Sequence, residues 1–390
     1  MLRFLTAGES HGRCLTGIIE GLPGGISIDV SFINGQLHRR QLGYGRGGRM
    51  KIERDSVHIT SGVRHGLTLG SPIAFTIENR DWDHWRLPMS IEPVPVGTDV
   101  RRVTHPRPGH ADLAGVLKYQ TFDVRNVLER ASARETAVRV AVGAFCRLLL
   151  SRFGIEIGSH TVAVGKVRVG KKYERVLAEK IFALNPSSRL RCVDAAAEKR
   201  MVRQIEIARA GGDTLGGISE IVAVAIPSGL GSHVQWDRRL DGQIAQAMMS
   251  IPAIKAVELG CGIAAASRFG SSIHDEIFYD DRERKFLRHT NNAGGLEGGI
   301  TNGEELRIRI YVKPIPTLRK ALNSVDIDTK CVSKASVERS DVCVVPSAGI
   351  VAEAMLAIVL TGVFLEKFGG DSLREIQANY DSYQHSVSEY

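Results

Sequence analysis

Two histidines stand in loops among small residues, in Gly8-Glu9-Ser10-His11-Gly12 and in Arg107-Pro108-Gly109-His110-Ala111-Asp112. An imidazole held this way can give or take a proton near neutral pH, and Asp112 is near enough in sequence to orient the second ring. A loop histidine can equally be merely exposed. Arginines gather around the same kind of segment. Arg40, Arg46 and Arg49 flank a run with glycines at 43, 45, 47 and 48. Arg130 and Arg134 lie in Glu129-Arg130-Ala131-Ser132-Ala133-Arg134-Glu135-Thr136, and Arg339 precedes Ser340-Asp341. Guanidinium forks bind carboxylates and phosphates bidentately, and glycines let the backbone approach closely, so the pattern points to small polyanions. With Arg107 there is more positive charge than one phosphate requires. An Arg-Gly segment could instead bind RNA, but this one is short, unrepeated and carries only Tyr44 for stacking. Gly43, Gly45 and Gly48 formally match Gly-x-Gly-x-x-Gly, yet a helix pattern precedes them and a strand pattern (51–59) follows, the reverse of a dinucleotide fold.

These residues need a frame. Residues 1–30 read as a strand, the His11 loop, a second strand over Leu15–Ile19 and a glycine-proline turn; a short helix follows over 31–42. From Ala137, apolar residues recur at helical spacing, and Ser132 with Glu135 has the spacing of a capping box, which predicts the longest helix from Ser132 onward with its free amides facing an anion. An ordinary capped helix satisfies the same pattern. Gly66–Gly70, Gly212–Gly217 and Gly294–Gly299 each feed a strand pattern, and Thr68-Leu69-Gly70 and Thr214-Leu215-Gly216 repeat a tripeptide. An internal duplication is one reading; convergence on a common loop type is the other. Residues 82–101 read as an irregular excursion and 162–209 as peripheral.

The chain has 390 residues, 43% hydrophobic and 24% charged, with a formal charge of +8, the balance of a globular protein with anionic partners. The six cysteines (14, 146, 192, 261, 331 and 343) are scattered without a zinc-binding spacing, so we expect reduced thiols, no metal and a cytoplasmic location. The N-terminal apolar run is too short for a signal peptide. Residues 348–365 approach membrane-spanning length, but Glu353 interrupts them and Pro346 and Gly369-Gly370 bracket them, which predicts a buried central helix. The polar tail after Asp371 is expected to be mobile.

The chain resembles the chorismate synthases. The resemblance rests on Gly8–Gly12 running to Gly21-x-Pro23, on Glu129–Thr136, and on Arg339-Ser340-Asp341 running to Glu353, with support from 43–49, Arg107–Asp112, Gly294–Gly299 and Lys313-Pro314. It covers about residues 1–370 as a single catalytic domain and implies an α+β fold, one large β-α-β sandwich. It further implies conversion of 5-enolpyruvylshikimate 3-phosphate to chorismate by trans-1,4-elimination of phosphate, dependent on reduced FMN without net redox change. By motif position, Ser10, Arg40, Arg46, Arg49, Arg107, Ser132, Arg134 and Arg339 would hold substrate. Arg130, Ala131, Ser132, Ala253, Gly298, Lys313, Pro314, Ile315, Pro316, Thr317 and Arg339 would line the flavin. His11 would protonate the leaving phosphate, His110 the reduced flavin, and Asp341 would help the flavin N5 accept the ring proton. The implied assembly is a homotetramer using small molecules, without nucleic acid or membrane. NADPH as the flavin's reductant stays open. Pro252 stands where a donor-bearing residue is expected before Ala253, which puts a backbone contact to flavin in question.

Overall fold

The computed structural model describes residues 1–48, 53–100, 102–282, 284–338 and 341–390. In chain order its strands and helices are β1 (Arg3–Ala7), β2 (Cys14–Glu20), α1 (Val30–Gln41), β3 (Val57–Ile59), a small β4–β5 hairpin (Val63–Arg64, Leu67–Thr68), β6 (Ile73–Glu78), α2 (Asp112–Tyr119), α3 (Arg125–Ala131), α4 (Thr136–Leu150), β7 (Glu156–Val164) and β8 (Val167–Arg168). The second half continues with α5 (Ala178–Phe182), α6 (Ala195–Ala210), β9 (Gly217–Val224), α7 (Leu240–Met249), β10 (Ile254–Leu259), α8 (Gly262–Ala265) and the hairpins β11–β12 (Ile277–Asp280, Lys285–Arg288) and β13–β14 (Leu296–Glu297, Ile300–Thr301). It closes with β15 (Leu306–Val312), the β16–β17 hairpin (Asn323–Val325, Val332–Lys334), α9 (Val345–Phe368) and α10 (Leu373–Ser388).

Two antiparallel sheets enclose a layer of helices, the β-α-β sandwich the resemblance implied. One sheet has the order β1-β2-β6-β3, the other β10-β15-β9-β7-β8. Between them α4 and α9 pack against each other closely enough that a Cβ on Gly143 would stand 2.4 Å from the Ala354 Cβ. The first sheet meets α4 where Gly17 leaves room for the Phe75 ring and Val138, and Phe75 in turn lies 5.6 Å from Phe145. The second sheet meets α9 at Gly349, beside the Ser159 and Ser219 hydroxyls. A helix covered on both sides must be apolar around its whole circumference, which accounts for the unbroken apolar run in α9. That helix is long and apolar enough to cross a membrane, but here it is the interior of the sandwich.

The charge within that interior is Glu353. Its carboxylate takes Arg39 Nη1 and Nη2 at 2.8 and 2.9 Å, Arg147 Nη1 at 2.8 Å and Ser159 Oγ at 2.7 Å. Burial pushes its pKa up, and the three guanidiniums of Arg39, Arg147 and Arg191 outweigh that and hold it at about 2.

The two halves repeat one order of elements. The succession β1, β2, α1, β3, β6, α4 gives the pairing β1-β2-β6-β3, and β7, β9, α7, β10, β15, α9 gives β7-β9-β15-β10. The glycine loops are only partly the markers of this repeat. Gly66–Gly70 precedes β6 and Gly294–Gly299 precedes its counterpart β15, whereas the Thr214 loop precedes β9, the counterpart of β2. The shared Thr-Leu-Gly is therefore out of register with the topology.

Three local expectations change. α4 begins at Thr136, not Ser132: Ser132 ends α3 in extended conformation, and its Oγ accepts from the Arg134 amide of a single 3-10 turn. Glu135 turns to Arg139, 3.0 Å away, so no capping box closes there. The box sits at Ser372 and Glu375 instead, opening α10, and the tail expected to be mobile is that helix, with Ile376 buried and Tyr380 against Phe153 and Phe364. The longest helix is the 24-residue α9.

Candidate active site

A cavity of about 620 Å³ opens where the first sheet's loops meet the N-terminal end of α9. Its wall includes Ser10 and His11 after β1, Arg40, Arg46 and Gly47 at and after the end of α1, Asp81, Trp85, Arg107 and Gly109–Ala111 between β6 and α2, and Ala131–Arg134 at the α3–α4 junction. The α7–β10 turn adds Ile251, Pro252 and Ala253; the loop after β15 adds Lys313 and Ile315–Thr317; α9 and its approach add Asp341, Val344, Ser347, Ala348 and Val351. Ligand pockets commonly run from ~300 to 1,000 Å³.

His11 is held by contacts that its loop alone does not suggest. Its Nδ1 is 2.9 and 3.0 Å from the Glu129 carboxylate oxygens, its backbone N–H donates to the same carboxylate at 2.8 Å, and its ring stacks on Trp85 with centroids 4.0 Å apart. Arg125 Nη1 donates to Glu129 at 2.9 Å, and its guanidinium lies 4.9 Å from the Trp85 ring. Burial raises the Glu129 pKa, but His11 and Arg125 outweigh it and the net shift is downward. His110 has a matching arrangement. Its Nδ1 meets Asp112, whose carboxylate accepts Arg107 Nε at 2.8 Å and the Arg107 amide at 3.0 Å. Despite burial, these partners hold Asp112 well below the usual carboxylate range. Asp112 thus orients His110, as its position in the sequence suggested.

The arginines are less available than the sequence implied, because carboxylates come with them. Arg134 donates to Asp55 at 2.5 Å and to Asn79 at 2.8 Å, while Arg40 reaches the other Asp55 oxygen at 3.4 Å and Thr136 Oγ1 at 2.9 Å. Burial pushes the Arg40 pKa down to about 10. Arg46 pairs with Asp341 at 2.6 Å and donates to Ser347 at 3.1 Å, and the Gly47 amide donates to Asp341. A positive wall built this way is preorganised, its forks already aligned before an anion arrives.

Not every expected residue lines the cavity. Arg130 is exposed and bonds Thr6 and Gly8. Gly298 sits in the β13–β14 turn near His233, and Pro314 is off the wall although its neighbours are on it. Arg49 and Arg339 lie outside the described residues. Pro252 faces the cavity and so contributes apolar surface where a donor was expected, and Ala253 beside it holds φ at +72°, a conformation that a residue with a Cβ rarely adopts. Trp85, Arg125, Asp55 and Asn79 carry no local signal in the sequence, and Glu129 shows there only as part of its motif.

Residues 2–365 match the family described as chorismate synthase. The chain belongs to the chorismate synthase family. It is 53% identical over 392 residues to the chorismate synthase of Solibacter usitatus, covering 100% of both chains, and 55% identical over 394 residues to that of Geobacter sulfurreducens, covering 99% of each. The chorismate synthase of Aquifex aeolicus is 52% identical over 400 residues, with 100% of this chain and 99% of the relative covered. A solved structure described as the crystal structure of chorismate synthase superposes with a TM-score of 0.81 at 43% identity, covering 100% of this chain and 99% of that one. The activity is accordingly the family's, that of a lyase forming chorismate in the shikimate pathway.

Proposed function

We propose that the cavity is where phosphate and a ring hydrogen leave 5-enolpyruvylshikimate 3-phosphate in a trans-1,4 sense, beside a bound reduced FMN. The observation that carries this reading is that one cavity gathers His11, His110 and Asp341 with four arginines, each bonded to a carboxylate. Arg40, Arg46, Arg107 and Arg134, joined by Arg49 and Arg339, bind the substrate's carboxylates and phosphate, with the Ser10 and Ser132 hydroxyls completing the cradle. His11 gives its proton to the departing phosphate oxygen, whose charge grows as the carbon–oxygen bond breaks. Asp341, held by Arg46 and the Gly47 amide, is the carboxylate that assists loss of the ring hydrogen. His110 holds a proton for the reduced flavin.

The residues present fit FMN. Ala131, Ile251, Pro252, Ala253, Ile315 and Pro316 give an apolar strip suited to a flat ring system, and Lys313, whose Nζ donates to the Gly109 carbonyl, puts a cation beside it. When bound, reduced FMN supplies an electron-rich ring and a basic nitrogen without being consumed. NADPH could serve as its reductant. All six cysteines are free thiols, which suits a cytoplasmic enzyme. We also propose a homotetramer, for which exposed apolar side chains such as Phe269 and those of the β11–β12 hairpin supply surface.

The test is anaerobic turnover. With reduced FMN and the enolpyruvyl substrate, phosphate and chorismate should appear in equal amounts, and oxidised FMN should support neither. Folded protein that binds both ligands and releases no phosphate would end this reading.

A further inference from the structure

Glu129 makes more contacts to His11 than any role at the substrate requires. Its side chain is 2% exposed, and it grips His11 at both Nδ1 and the backbone N–H, while its own carbonyl accepts the Ser10 amide at 3.1 Å. Trp85 covers one ring face at 22° from parallel, and Arg125 ties Glu129 to Trp85 from the same helix. An unanchored histidine would sample several rotamers and either tautomer. Here position, rotation and tautomer are all fixed by one carboxylate and one indole.

We propose that Glu129 is a positioning residue acting through His11: it keeps the proton on Nδ1 and so makes Nε2 the atom that protonates the leaving phosphate. In that step the Nε2–H bond breaks and its electron pair stays on the ring nitrogen. The proton goes to the phosphate oxygen, which has taken the electron pair of the carbon–oxygen bond. The Nδ1 proton stays in its hydrogen bond to Glu129 throughout, and the carboxylate's charge stabilises the imidazolium before the transfer. This rests on the reading of His11 as the acid.

A double-mutant cycle tests the inference and separates it from that reading. Glu129→Gln can offer an amide N–H to Nδ1, which favours the opposite tautomer. With reduced FMN and substrate saturating, it should lower kcat by about tenfold or more, up to the full loss on removing His11, with little change in KM. In the His11→Ala background the same change should cost nothing further. Additive losses would overturn the positioning role while leaving His11 as the acid, and an unchanged kcat in His11→Ala alone would overturn both. Because Glu129→Gln removes the carboxylate that takes Arg125 Nη1 and could impair folding, the unsubstituted protein gives a second readout. The ¹⁵N shifts of neutral His11 should report a proton on Nδ1, and a proton on Nε2 would overturn the inference.

Discussion

Two histidines reach one cavity, each tied through Nδ1 to a carboxylate that an arginine also holds. This repetition of arginine, carboxylate and imidazole gives each ring a fixed orientation. His11→Ala should lower kcat by about 10²- to 10⁴-fold while flavin binding and melting temperature stay as in the parent, measured by steady-state kinetics beside a flavin titration and a thermal melt. At Arg46 one guanidinium nitrogen, Nη1, meets both Asp341 and Ser347. Arg46→Lys should therefore raise the substrate Kd about tenfold or more by calorimetry, because an ammonium held by those two partners lacks the second planar nitrogen that grips an anion bidentately. His11 and His110 were legible as candidates because their flanking glycines and nearby arginines are local signals, and Asp341 was legible only through the family resemblance. Glu129 was not legible as the partner of His11, because their contact joins positions 118 residues apart, and no periodicity encodes such a pair. Asp55 and Trp85 were hidden for the same reason, one beside a short strand and the other in an excursion without pattern.

The helices that carry these residues are fixed by packing more than by propensity. In α4, Gly143 is where α9 comes nearest, with Ala354 backbone atoms 2.5 and 2.7 Å from any added Cβ, whereas a Cβ on Gly362 of α9 would meet nothing within 4 Å. Alanine is the better helix former by roughly 1 kcal/mol. Gly362→Ala should thus raise stability by up to that amount, and Gly143→Ala should lower it in spite of the same propensity gain, as read by urea unfolding. Glu353 offers a pH test. Its folded-state pKa of about 2 lies below its ordinary 4.5, so its contribution is present above pH 4.5 and is lost as pH falls from there towards 2. Glu353→Gln should destabilise by about 3 kcal/mol at neutral pH, and the gap from the parent should narrow over that acid range. α9 was legible from its length, its bracketing proline and glycines and its lone carboxylate. The start of α4 was not, since Ser132 and Glu135 have the spacing of a capping box while the chain spends those residues on a 3-10 turn that aims Arg134 at Asp55 and Asn79.

Across the whole molecule, two copies of one strand-and-helix order build the sandwich, and the site forms where the loops of the first copy meet the α7–β10 turn, the loop after β15 and the N-terminal end of α9 in the second. The repeated order of elements showed in the sequence only as recurring glycine loops, because each half keeps its topology through apolar alternation that many sequences satisfy, and the repeated tripeptide fell at non-equivalent strands. The fold class and the activity were legible because three separated signatures match one family, and Ser10, Ser132 and Asp341 from them line one cavity. On the function proposed, this lyase needs its flavin without spending it. Phosphate release should therefore be counted against flavin under anaerobic conditions, with a limiting amount of reduced FMN and no other reductant. Many phosphates per flavin, with the flavin still reduced at the end, is the predicted result; release that stops at one per flavin, with the flavin oxidised, would contradict it.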